Sequence, residues 1–319
     1  MRVKILSYLR CPACGSSSWD KRITQETEFE MIEGALTCVK CGHECGLRHG
    51  IIDAVAGRGA GPAVDETEGW VRFAGNEGWN RTDARYLNAI PFLLAKKLMP
   101  DDTLTWDRHC RNFFRTLSHL DLNGKRVLDL GAGRCWSTKY LAMQGAECVA
   151  TDIMTALNVG LETAAHYLQE QPIYFERVRC DMNELPFNNG AFDMVFGQGA
   201  VHHSLDMPRT FHEAARVLSP GGLLVLTNEH CNDWRGEEKI DVKEMPGVHE
   251  HCYRAYRLRR WLEEAGFGRL RIIPDAYYYR RDDYCYRRFS KLGRIHPVFI
   301  KLKLLIFGGV FNLIARKTG

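Results

Sequence analysis

Lys125 to Asp152, KRVLDLGAGRCWSTKYLAMQGAECVATD, reads as strand, glycine turn, helix, strand and acidic residue. Val127, Leu128 and Leu130 make the short apolar run of a parallel strand buried on both faces. Gly131 and Gly133 follow at once; they permit a tight turn and let a ligand approach the backbone with no Cβ in the way. Ser137 to Gln144 predicts a helix whose first N–H groups face that turn. Cys148 to Thr151 predicts a second strand. It ends in Asp152, a carboxylate placed to accept both hydroxyl protons of a ribose.

This pattern implies a nucleoside-containing cofactor, either a dinucleotide or S-adenosylmethionine. The dinucleotide fingerprint needs a glycine three positions after Gly133, and Trp136 stands there, too large for a pyrophosphate to pass. Asp129, just before the turn, repels a diphosphate and suits an ammonium group. On these residues the chain resembles the class I S-adenosylmethionine-dependent methyltransferases, whose first motif is an acidic residue followed by G-x-G-x-G. Cys135 occupies the third glycine position, a departure that touches the contacts of that position alone.

The resemblance runs on through residues 105–230 and, more weakly, 253–319. Arg179 to Met182 with Leu185-Pro186-Phe187 looks like the end of the family's third strand, Ala191 to Phe196 like the fourth, and Gly197 to His203 like the loop lining the transfer site. Glu213 to Asn228 looks like the helix, turn and fifth strand that follow. The resemblance implies an α/β fold: a seven-stranded Rossmann-like methyltransferase sheet. It also implies that Asp129, Gly131 and Gly133 hold the methionine portion of the cofactor, Asp152 the ribose, and Asp181 and Met182 the adenine. Gln198 stands beside the sulfonium, and Ala132 and Ile153 complete the cofactor-binding set.

Ahead of this domain lie two C-x-x-C-G knuckles, Cys11-Pro12-Ala13-Cys14-Gly15 and Cys38-Val39-Lys40-Cys41-Gly42. Each sets two thiols on one turn, and two such turns supply four soft ligands to a tetrahedral, structural Zn²⁺. The spacing predicts a small N-terminal zinc ribbon with a hairpin over Ile23 to Leu36; His43 and Cys45 are spare candidates ranked as unbound. Its tail, Cys45 to Asp53, is similar to ribbons that activate tRNA and protein methyltransferases, and similar ribbons are fused to methyltransferases of rRNA, glycans and small molecules. A cap on the main domain is favoured over a share in a substrate groove.

The expected organisation is a zinc ribbon over 1–56, a linker and helical lead-in over 57–100, and the methyltransferase domain over 101–319, with an insertion at about 276–308. Gly57 to Ala63 reads as flexible linker, Thr82 to Met99 as a helix broken at Pro91, and Trp106 to Leu120 as a second helix. Trp70, Phe73 and Trp79 stand in a segment without strand signal and either cover a pocket or dock the linker.

The 319 residues carry a formal charge of only +4, which excludes a strong polyanion binder as a whole. Residues 276–319 hold ten Lys/Arg against two Asp, so the remainder is about −4. Twelve cysteines with no secretion signal point to thiols and metal ligands, and to a cytoplasmic location. The insertion interleaves Tyr277 to Arg288 with arginines, then runs through Pro297 to Phe307, a segment too short and charged to span a bilayer. It fits peripheral contact with the inner face of a membrane, a cover over a greasy pocket, or a core helix.

Methyl transfer from a sulfonium needs orientation more than a catalytic triad, and the sequence shows none. A hydroxyl acceptor gains from a base. His203, then His202, follow the fourth strand where open α/β sheets carry their sites, and His230 ends the fifth. His249, Glu250 and His251 are expected to face substrate rather than to join His230 around a metal. The expected enzyme is an S-adenosylmethionine-dependent methyltransferase of a small-molecule, glycan or lipid-linked acceptor. The alternative is RNA methylation, favoured by the ribbon and the Tyr/Arg run and opposed by the lack of an N-P-P-[YF] signature; a non-catalytic scaffold ranks third.

Overall fold

The apolar runs around the glycine turn become adjacent central strands of one large sheet. The computed structural model describes residues 1–55, 60–93, 95–98, 103–236, 239–240, 248–276, 302 and 304–318. In chain order come β1 (Trp19–Glu26), β2 (Met31–Cys38), β3 (Glu44–Arg48), β4 (Ile51–Asp53), α1 (Ala60–Asn76), α2 (Ala84–Ala89) and α3 (Thr103–Leu117). Next are β5 (Arg126–Leu130), α4 (Trp136–Met143), β6 (Glu147–Asp152), α5 (Ala164–Glu170), β7 (Phe175–Arg179) and β8 (Phe192–Gln198). Then follow α6 (Met207–Val217), β9 (Leu218–Cys231), β10 (Lys239–Ile240), β11 (His251–Cys252), α7 (Ala255–Glu264), β12 (Phe267–Ile273) and β13 (Gly309–Lys317).

Eleven strands form the main sheet in the order β1-β2-β3-β4-β7-β6-β5-β8-β9-β13-β12. β4, β7, β6, β5, β8 and β9 run parallel, and β13 turns back antiparallel between β9 and β12. Seven of these strands, β5 to β9 with β12 and β13, come from residues 126–317, and the four strands before them extend the sheet to eleven. The cysteine-bearing hairpin continues the sheet, because β4 pairs in parallel with β7 at Ile51–Arg177, Ile52–Val178 and Asp53–Arg179. A parallel edge strand with unpaired backbone groups needs cover, and β4 supplies it. Ion pairing fastens the seam: the Arg179 guanidinium sits 2.7 Å from Asp53, and Arg177 donates to the His49 carbonyl at 2.9 Å.

Side chains alternate across the pleat, so the strands feed two cores. Leu128 and Leu130 fall on one face with Leu9, Leu36, Leu47 and Ile52 of the hairpin and with Phe187, Phe192 and Phe211. Val127 falls on the other, with Phe113, Trp136, Tyr167 and Phe196. The cysteine-bearing segment and the later strands thus share one core.

Other expectations shift in detail. α1 begins at Ala60, inside the stretch read as a flexible linker; Pro62 lies in its first turn, where a missing N–H breaks no intrahelical bond. The helix expected over Thr82 to Met99 is only α2, capped by Asp83 accepting from the Tyr86 N–H at 3.0 Å and ending before Pro91. The insertion falls largely outside the described residues, including its whole Tyr/Arg run. Of its apolar part, Leu304 is buried in the first core. No helix among the described residues is long and apolar enough to cross a membrane.

If hairpin and central strands share one core, Leu36→Ala removes about 2–5 kcal/mol from the whole. Chemical denaturation followed by the fluorescence of the seven tryptophans, of which Trp19 lies in the hairpin, should show one transition moved to lower denaturant. Two transitions, with one unmoved, would mean the hairpin folds apart.

Candidate functional site

The carboxyl ends of β5, β6, β7 and β8 open on a cavity of about 590 Å³, and helix α1 covers it. Parallel strands aim their C-terminal turns at one edge, which makes this the natural ligand position. Gly131, Ala132, Gly133, Asp152, Ile153, Asp181, Met182, Gln198 and His203 all line it.

The turn after β5 holds Gly131 at φ +61° and Gly133 at +49°. A Cβ on Gly131 would stand 2.6 Å from the Cβ of Ala200, so the turns after β5 and β8 touch through that glycine. Cys135 also adopts a left-handed φ of +57°, which explains why a glycine suits its position. Asp152 accepts from the Gly133 N–H at 2.7 Å and the Met154 N–H at 2.8 Å, locking the turn to the tip of β6. Burial pushes its pKa up to about 6, against the pull of those backbone donors.

Asp129 sits elsewhere. It is fully buried behind the turn, accepts from Ser137 and Thr138 hydroxyls at 2.7 and 2.6 Å, and does not line the cavity. Burial lifts its pKa to about 7. Through Oδ2 it fastens the first turn of α4 to β5, while Oδ1 is buried with no partner among the described residues.

Asp181 accepts from the Asn183 N–H at 2.7 Å through one oxygen. Gln198 accepts from the Thr227 hydroxyl, while its Nε2 is buried with no partner among the described residues. That orphan donor on the cavity wall asks for an acceptor atom. Sequence reasoning missed Arg134. Its guanidinium donates to the carbonyls of Trp79 and Arg81, drawing the α1–α2 connection down onto the glycine turn. Trp70 stands edge-on to His203 with centroids 5.2 Å apart, so the aromatic segment is cavity wall. On the far side buried Asn112 donates to Asn228 at 2.8 Å, and Asn228 donates to the His109 carbonyl at 3.3 Å, setting α3 against β9.

His203 donates Nδ1–H to the carbonyl of His249, which leaves Nε2 as an acceptor; burial holds the ring well below the usual histidine pKa, so it is neutral. His202 turns the other way. Its Nδ1–H meets Glu229 at 2.8 Å, and it lines a second cavity of about 500 Å³ with His230. That cavity is mostly apolar, walled by Met207, Phe211, Leu258, Leu304 and Phe311 among others, with Arg259, Glu263 and Arg269 also lining it. The rings of His202 and His203 are 4.1 Å apart, so this pair stands between the two cavities.

At the hairpin, Cys11 and Cys41 sulfurs are 3.6 Å apart, as are those of Cys14 and Cys38. All four lie within 4.8 Å of one another. A disulfide needs about 2.05 Å, whereas sulfurs around one zinc at about 2.3 Å stand roughly 3.8 Å apart. Cys45 is buried in the core, its thiol pushed up to about 12, and stays out of this group.

Residues 128–226 match the family model described as a methyltransferase domain. The phthiotriol/phenolphthiotriol dimycocerosates methyltransferase of Mycobacterium leprae is 33% identical over 135 residues, 42% of this chain and 48% of that protein. The tRNA U34 carboxymethyltransferase of Alcanivorax borkumensis is 30% identical over 173 residues, 51% of each chain. This chain thus spans about half the length of these relatives. The solved 1,6-didemethyltoxoflavin-N1-methyltransferase of Burkholderia thailandensis covers 88% of this chain and is itself covered to 98%, at a TM-score of 0.51 and 16% identity, a likeness of fold.

The two glycines of the turn differ in a measurable way. Gly131→Ala meets Ala200 and a left-handed φ together, while Gly133→Ala has only the φ to bear, its nearest neighbour being 3.6 Å away. The second should cost about 1–2 kcal/mol of stability and the first clearly more. Equal shifts in denaturation midpoint would mean the two turns are not in contact.

Proposed function

We propose that the protein is an S-adenosylmethionine-dependent methyltransferase whose acceptor is a small or lipid-linked molecule with an apolar body. The observation that carries this reading is the pair of cavities, one polar and lined by the glycine turn, the other apolar, divided by His202 and His203.

The residues of the polar cavity fit the cofactor. Asp152 receives the ribose hydroxyls on lone pairs left over from its two backbone bonds. Asp181 takes the adenine amino group, with Met182 against the ring. Gly131, Ala132 and Gly133 lie along the methionine portion, and the orphan Nε2 of Gln198 finds its acceptor there. When bound, the cofactor supplies an electrophilic methyl on a sulfonium. Trp70, Phe73 and Trp79 exclude water from this space, which strengthens the electrostatics inside. With the cofactor bound, His203 Nε2 would take the proton released by an acceptor hydroxyl. His202 and His230 line the acceptor side of the same boundary.

Leu304 and Leu305 line the apolar cavity, which favours the reading of the late insertion as a cover over a greasy substrate rather than as a membrane contact. Cys11, Cys14, Cys38 and Cys41 hold a structural Zn²⁺ that stiffens a hairpin whose strands extend the sheet. The tRNA-modifying relative keeps RNA as the rival acceptor. The Tyr/Arg run that motivated it lies outside the described residues.

Methyl-labelled S-adenosylmethionine, incubated with the protein and a lysate of source cells lacking it, should label the lipid or small polar fraction. Label in RNA would overturn the acceptor class, and label in no fraction would overturn methyl transfer. Asp152 must be ionised to accept two hydroxyls, and it protonates as pH falls through about 6. Calorimetric affinity for S-adenosylhomocysteine should therefore weaken by about tenfold per pH unit below that value. Asp152→Asn should bind weakly at every pH without the inflection; a wild-type affinity flat down to acid pH would sink the ribose assignment.

A further inference from the structure

Three side chains at the boundary of the two cavities converge in a way that methyl transfer alone does not require. Nε2 of His202 lies 3.8 Å from one oxygen of Glu250, and Nε2 of His230 lies 3.7 Å from the other. The imidazole centroids are 4.4 Å apart, and one ligand atom from each of the three residues falls within 4.8 Å of the others. These separations are too long for hydrogen bonds, which cluster near 2.7–3.2 Å. They are close to the roughly 3.4 Å between ligand atoms that share one ion at about 2.1 Å.

We infer that His202, His230 and Glu250 form a binding site for a divalent transition-metal ion, distinct from the cysteine cluster. Two imidazoles and one carboxylate suit Zn²⁺ and its neighbours rather than Mg²⁺ or Ca²⁺, which prefer oxygen alone. Three protein ligands leave at least one coordination position open, the arrangement of a working site rather than a structural one.

The surroundings prepare the ligands. Nδ1–H of His202 is donated to Glu229 at 2.8 Å, so Nε2 carries the lone pair and points toward Glu250. Glu229 is itself held by the N–H groups of Ala200, Val201 and His202 at 2.9, 3.1 and 3.3 Å. A carboxylate behind a ligating histidine fixes its tautomer and raises its basicity. Glu250 stands on a pinned segment: Val248 is buried, His203 donates to the His249 carbonyl, and His251 donates to the Ser204 carbonyl at 2.8 Å. The Nδ1 atoms of His203 and His251 are thereby engaged with backbone carbonyls. The His230 and Glu250 side chains remain 29% and 20% exposed, which gives an ion a way in.

An ion here would face the apolar cavity on the His230 side and the polar cavity on the Glu250 side. Its chemistry suits an oxygen ligand on the acceptor, a hydroxyl, enol or carboxylate, held as its anion beside the methyl donor. That use of the ion rests on the methyl-transfer reading; the site does not.

The test uses the full chain and zinc alone. After dialysis against Zn²⁺ without chelator, elemental analysis should find two zinc ions per chain. Glu250→Gln and His230→Gln should each keep one, and Cys11→Ser should lose the other. Replacement with Co²⁺ identifies the sites: the thiolate-to-cobalt charge-transfer band of the cysteine cluster should survive Glu250→Gln, while the weaker bands of a nitrogen–oxygen site vanish. Circular dichroism checks that the near-isosteric variants are folded. One zinc per wild-type chain, or the same zinc content and cobalt spectrum in wild type and Glu250→Gln, overturns the proposal. S-adenosylhomocysteine binding on the same samples reports the methyltransferase reading separately, so the two can fail apart.

Discussion

A single buried carboxylate ties the working edge of this sheet together. Glu229, near the end of β9 and 2% exposed, accepts three successive backbone N–H groups from the turn after β8 and the Nδ1–H of His202. Each of those N–H groups, buried and unpaired, would cost about 1–3 kcal/mol. The carboxylate therefore decides the path of residues 200–202, and that path decides which way each histidine faces. It also holds Ala200 against Gly131, so the turn after β5 and the turn after β8 close on one another with no room for a side chain between them. The two cavities and the wall between them follow from this one satisfied cluster.

The hairpin at the start of the chain answers a different constraint. A module of about fifty residues has too little interior to stand alone, and four cysteines around a metal go only part of the way. Joining the sheet at β7 solves two problems at once. The hairpin gains Phe187, Val178 and Leu130 as core partners, and the parallel edge gains a strand. Tyr8 against Phe192, centroids 5.8 Å apart, extends the seam past the strands themselves. On this geometry the cysteine cluster acts on the far edge of the sheet. The polar cavity lies at the carboxyl ends of strands nearer its centre, and the segment reaches it through Ala54 and Val55, just past β4.

What the sequence made legible was local. The glycine turn, Asp152, Asp181 and Gln198 sit at fixed offsets from apolar runs, and each of these lines the cavity. The cysteine pairs converge as their spacing demands. Asp129, marked by its place in the motif, is buried behind the turn, where two hydroxyls of α4 meet its Oδ2 and Oδ1 is left without a partner among the described residues. Arg134 was invisible because its partners are carbonyls some fifty residues upstream, with no side-chain signature. The merging of hairpin and sheet was invisible for the same reason: strand pairing between distant segments leaves no periodicity in either one.

The histidines make the point most sharply. Read along the chain, His202 and His203 are one motif, and His249, Glu250 and His251 another. In the fold they are dealt out alternately. His203 and His251 spend their Nδ1–H groups on backbone carbonyls and act as pins, while His202 and His230 present Nε2 toward the carboxylate of Glu250. Adjacent residues on a tight turn must face different ways, and here that necessity puts one imidazole in each cavity. An imidazole can present an apolar face to one side and a nitrogen lone pair to the other, which suits a wall between a polar and a mostly apolar cavity.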